Sequence, residues 1–146
     1  MASEDGFSAA ERAAIKERAT ELKTAGRRGK AAEKAAAEAQ DVLDKIAAMP
    51  EPDRGLAEGL HALVTGTVPE LAPKLWYGQP AYARNGKVLC FFRSGLGDKE
   101  RYSTFGFSSA AKLDTGHGLW ATSFALTELT DQAAAEIREL LLRALA

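Results

Sequence analysis

Apolar residues recur along this chain at two different periods, and the change between them marks out its elements. Ala39, Val42, Leu43, Ile46 and Met49 follow helical spacing, and Pro50 and Pro52 end that run. Asp53 then predicts the N-cap of a second helix, with Leu56, Leu60, Leu63 and Val64 on one face and a stop near Gly66. A short helical turn is expected over 69–74. The Tyr77-Gly78-Gln79-Pro80 turn leads into a strand, Asn85-Gly86 reverses it, and residues 87–93 return as its partner. Residues 102–107 and 120–126 read as two further strands, with a helical turn at 108–113 between them. Thr130 or Asp131 caps a last helix whose Ala133, Ile137, Leu140, Leu141 and Ala144 face inward.

The beginning of the chain has a different character. Ser8 and Glu11 form a capping-box pattern and predict a helix from Ser8 to about Thr24. Ile15 and Leu22 are its only large aliphatic residues, too few to hold it firmly on a core. Gly26-Arg27-Arg28-Gly29-Lys30 interrupts it, and the following AAEKAAAEAQ forms helix readily with little to bury. The expectation is a helical, mobile appendage over 1–38 and an α+β domain over 39–146. That domain is read as a four- or five-stranded antiparallel sheet with helices packed mainly on one face.

Asn-Gly between strand-like runs signals a type I′ hairpin, because both central residues of that turn need positive φ. With Asn85 and Gly86 as the loop, Arg84 pairs with Lys87, Ala83 with Val88, Tyr82 with Leu89 and Ala81 with Cys90. Opposed residues share a face. One face then collects Ala81, Ala83, Val88, Cys90 and Phe92, which suits close packing against helices. The other collects Tyr82, Arg84, Lys87, Leu89, Phe91 and Arg93, a mixed surface that suits a ligand or equally a half-exposed sheet.

Over residues 75–93 the chain resembles the YdhG-like domain-of-unknown-function family. The residues in register are Tyr77, Gly78, Pro80, Ala81, Tyr82, Asn85, Gly86, Lys87, Phe91 and Phe92. The likeness extends from near Gln40 to the end, with Gln79 where members often have Met. It implies a compact α/β domain with an antiparallel sheet. Some relatives are described as frataxin-like intracellular iron chaperones, and no shared catalytic motif comes with the resemblance.

Charge and chemistry narrow the function by subtraction. Nineteen basic and twenty acidic residues nearly cancel, so net charge argues for neither nucleic acid nor membrane. The N-terminus lacks the apolar core of a signal peptide and no run approaches a membrane span, which makes the cytoplasm the expected location. A lone Cys90, placed mid-strand, reads as an inert core thiol. His61 within a helix reads as structural, whereas His117, in a loop between glycines, can approach a ligand closely. Gly95-Leu96-Gly97 is better explained as a hairpin loop than as a phosphate site.

Two binding signals remain. Between Lys74 and Trp120, seven basic residues (Lys74, Arg84, Lys87, Arg93, Lys99, Arg101, Lys112) face three acidic ones (Asp98, Glu100, Asp114), interleaved with aromatics. Such a surface accepts an anionic small molecule or a single-stranded nucleic acid by charge and stacking, although basic side chains also keep sheet edges soluble. Acidic residues gather earlier, at Glu38, Asp41, Asp44, Glu51, Asp53 and Glu58, and Asp41, Asp44, Glu51 and Asp53 among them offer the oxygen ligands that iron would need, or serve as ordinary helix-start carboxylates. The reading that follows is a non-enzymatic binding domain, without cofactor, for a small molecule or partner protein. Its expected ligand surface comprises Trp76, Tyr77, Tyr82, Arg84, Phe91 and His117. The alternative is an iron chaperone using Asp41, Asp44, Glu51 and Asp53.

Overall fold

Two pairs of left-handed residues set up the sheet. Asn85 and Gly86 have φ of 52° and 81°, as the type I′ turn requires, and Tyr77 and Gly78 repeat the arrangement at 52° and 76°. In the computed structural model, which describes residues 8–27 and 30–146, these turns join β1 (Ala72–Trp76), β2 (Gln79–Arg84) and β3 (Lys87–Arg93). β4 (Ser103–Phe107) and β5 (Ser123–Leu126) complete an antiparallel sheet in which spatial order equals chain order. Helices α1 (Ala9–Arg27), α2 (Ala31–Ala47) and α3 (Asp53–Thr67) precede the sheet, and α4 (Asp131–Leu145) follows it. The result is the expected α+β class.

β1 replaces the helical turn expected over 69–74. The chain does close a turn, Leu71 N–H donating to the Val68 carbonyl at 3.1 Å, but it then extends. Pro73 is accommodated because β1 lies at the edge of the sheet, where one strand side needs no donor.

The register of the β2–β3 hairpin also departs from the regular one. Arg84 faces Lys87 and Ala83 faces Val88, but Tyr82 faces Cys90 and Ala81 faces Phe91, which leaves Leu89 as the extra residue of a β-bulge. Beyond the bulge the faces exchange. Tyr82, Leu89, Cys90 and Phe92 join the core cluster beneath the helices, whereas Ala81 and Ala83, also buried, share the other face with the half-buried Val88 and Phe91. Large side chains have taken the buried face that the small alanines were expected to occupy.

All three later helices contribute to that core. Val42 and Ile46 of α2, Leu60 and Val64 of α3, and Ile137 and Leu141 of α4 form one cluster with Tyr82, Phe92, Phe105, Phe107 and Leu126. The helices are therefore packed on one face of the sheet. α4 begins as expected, with the Thr130 hydroxyl accepting from Ala133 N–H at 3.1 Å. Asp53 does not act as the N-cap of α3. It is the first helical residue, 4% exposed, and its carboxylate reaches across to accept from the Ser94 hydroxyl and, at 3.0 Å, from Leu96 N–H.

The capping box of α1 is present, Glu11 N–H donating to Ser8 Oγ at 3.1 Å and Ser8 N–H to Glu11 Oε1 at 3.3 Å. Ile15 and Leu22 stay exposed, so α1 buries little apolar surface. Of the expected appendage, residues 1–7, 28 and 29 lie outside the described residues. α2 runs unbroken through position 38, and full burial begins on it at Val42.

Candidate functional site: an aromatic ledge on the open sheet face

Across the face opposite the helices, the register aligns Lys74, Ala81, Phe91, Gly106 and Ser123 in one row. Gly106 supplies no side chain, and the Phe91 ring occupies the vacant place. A Cβ built at Gly106 would come within 2.4 Å of Phe91 Cζ. On the other side of Ala81, the Trp76 ring approaches Phe91 with centroids 5.3 Å apart and planes inclined at 50°. Ala81 is small enough for the two rings to meet above it and is itself fully buried. The face thus carries a continuous aromatic ledge, with Lys74 in the same row and Gln79 paired to Trp76.

The ledge continues into the first turn. Tyr77 stands edge-on to Trp76 at 5.0 Å, and the Arg18 guanidinium of α1 lies 5.7 Å from the Tyr77 ring centre. A left-handed tyrosine costs about 1–2 kcal/mol of backbone strain, so the turn holds this ring in place against its local preference. Gly78 is required for its own positive φ and for space, because a Cβ there would lie 1.5 Å from Glu17 Oε2. Glu21 Oε1 accepts from Gly78 N–H at 2.8 Å, while Lys45 reaches Glu17 at 3.4 Å. Glu21 Oε2 and Gln79 Oε1 are buried atoms without a hydrogen-bond partner among the described residues. Polar groups of α1 therefore surround the turn, and Glu21 Oε2 is ion-paired with Arg18 at 3.5 Å.

Of the six side chains expected to form one surface, three do so: Trp76, Tyr77 and Phe91. Tyr82 does not. It is 1% exposed in the core, where its hydroxyl lies 2.9 Å from His61 Nδ1. Burial, and secondarily the neighbouring Cys90, pushes the Tyr82 hydroxyl well above the ordinary tyrosine range, and burial lowers His61. The bulge at Leu89 puts Tyr82 on the same face as Cys90 and Phe92. Arg84 sits at the Asn85-Gly86 end of the hairpin, whereas Trp76 and Tyr77 lie at the opposite end. His117 is exposed in the β4–β5 connection, which leaves and re-enters the sheet at the Arg84 end beside its far edge. Sequence reasoning missed Arg18, Glu17, Glu21, Gln79 and Gly106. Nothing in the spacing of an exposed helix links it to a turn nearly sixty residues later.

The other candidates are engaged elsewhere. Asp44 accepts from Gln40 at 2.9 Å, Glu51 accepts from Gly55 N–H at 2.7 Å, and Asp53 is turned into the protein. With Asp41 these carboxylates do not converge, and among the described residues no group of three His, Cys, Asp or Glu is arranged to hold a metal ion. The amides of Gly95 and Leu96 donate to Ser103 Oγ and Asp53, which makes that loop an internally satisfied connection. Cys90 is fully buried, and desolvation raises its thiol far above the usual range. Among the described residues no helix is long and apolar enough to cross a membrane. Comparison with protein-family models, with curated proteins and with solved structures gives no match.

Proposed function

We propose that this protein is a non-catalytic binding module that accepts a planar apolar group of a small molecule or partner on the Trp76–Phe91 ledge. One observation carries the reading. Two large rings meet on the sheet face that the helices leave open, and a glycine opposite one of them makes the arrangement possible. Stacking on such rings is tolerant of ligand identity, and Lys74, in the same row, adds a positive charge beside them. The ten residues on which the resemblance to the YdhG-like family rests, from Tyr77 to Phe92, include Tyr77, Ala81 and Phe91 of the ledge.

The test uses anilinonaphthalene sulfonate, an anion with a planar naphthalene unit, with the Trp120→Phe variant so that Trp76 is the remaining tryptophan. Saturable dye binding should quench Trp76 emission and should weaken about tenfold or more in Trp76→Ala and in Phe91→Ala, equivalent to about 1.4 kcal/mol. Dye affinity unchanged in both folded variants would place the binding surface elsewhere.

A further inference from the structure

The two edges of the sheet are treated differently. β1 carries Pro73 and Lys74, devices by which an edge strand is kept from pairing with another chain. β5 has none of them. From Leu119 to Thr127 there is neither a charged residue nor a proline. Leu119 is 75% exposed and Trp120 38%, so the segment also offers apolar surface to whatever lies beside it.

The ladder fixes which backbone groups are free among the described residues. Phe107 N–H donates to the Thr122 carbonyl at 2.7 Å, and the register continues as Phe105 with Phe124 and Ser103 with Leu126. In an antiparallel pair the bonding residues alternate, so Thr122, Phe124 and Leu126 bond inward to β4. Ser123 and Ala125 consequently point their N–H and C=O groups outward, and both residues are exposed.

We propose that β5 pairs with β5 of a second copy of this chain, antiparallel about a two-fold axis perpendicular to the sheet. Ser123 of each copy bonds Ala125 of the other, which employs all the outward groups of both residues in a self-complementary ladder. The same register sets Ala121 opposite Thr127 and carries Leu119 and Trp120 over the Glu128–Leu129 segment of the second copy. No like charges oppose each other along it. Because the axis is perpendicular to the sheet, the helices of both copies lie on one side and the open faces join on the other. The small side chains of Ser123 and Ala125 leave that junction unobstructed. Ten strands then form one sheet whose remaining edges are the two guarded β1 strands.

Sedimentation equilibrium of the full chain from ~5 to ~500 μM should show a concentration-dependent rise from the 15.6 kDa monomer to twice that mass. Ser123→Lys, which brings like charges together across the axis, should raise the dimer dissociation constant about tenfold or more. Ala125→Pro removes an outward N–H and should do the same, with far-ultraviolet circular dichroism confirming that each variant folds. In the wild-type dimer, the amides of Ser123 and Ala125 should gain hydrogen-exchange protection as concentration rises. A single 15.6 kDa species across the whole range would overturn the proposal. So would a dimer unaffected by Ser123→Lys, or one in which those two amides remain unprotected.

Discussion

At the scale of single residues, the site depends on what is missing from Gly106. An alanine there would meet the tip of the Phe91 ring at 2.4 Å, and that ring, half-buried at the end of a side chain, can swing aside. Gly106→Ala should therefore cost about 1–3 kcal/mol at most and should separate Phe91 from Trp76. A shift of Trp76 emission in the Trp120→Phe background would register the separation, and an unchanged spectrum would show that the rings do not depend on the glycine. His61 gives a second residue-scale expectation, in stability against pH. Its folded-state value lies below the ordinary histidine value of about 6.5, because burial disfavours the charged ring. The unfolded chain then takes up its proton first as pH falls. The contribution is complete above about pH 6.5 and is lost on descending through the folded value. Melting temperature should fall more steeply below that pH in the wild type than in His61→Gln, and parallel curves would show the imidazole to be uncoupled from folding.

At the scale of elements, α1 has few apolar contacts and several polar ones. Glu17, Arg18 and Glu21 meet the Tyr77-Gly78 turn, while Ile15 and Leu22 remain in solvent. The Lys45–Glu17 pair is exposed, and an exposed pair contributes little net stability. Removing residues 1–29 should leave the melting temperature within about 5 °C of the full chain, and a larger loss would make the helix part of the core. The same elements show where a sequence stops being legible. The Asn85-Gly86 turn was readable because its two residues have a specific backbone requirement, and the Ser8–Glu11 cap was readable because its two bonds are local. The bulge at Leu89 was not. A leucine between Val88 and Cys90 carries no local mark of being the extra residue; only packing of Tyr82 against the helices selects that register. One unpaired residue was sufficient to move Tyr82 from the expected ligand surface into the core.

At the scale of the molecule, one sheet face is closed by three helices and the other carries the ledge. The α+β class followed from helical spacing on either side of the strands, and Trp76, Tyr77 and Phe91 were identifiable as a surface from their position around one hairpin. Their separation from Arg84 and His117 depends on strand order, which no local pattern encodes. That order has a consequence for how the chain reaches its native state. Every strand pairs with its neighbour in sequence, and the first two pairings are closed by loops of only two residues each. Most of the sheet can therefore grow outward from a single hairpin without the entropy loss of joining distant segments, which is the condition for rapid folding. The longest interval to be closed lies between β4 and β5, so the strand with the open outer edge is the one whose pairing comes latest.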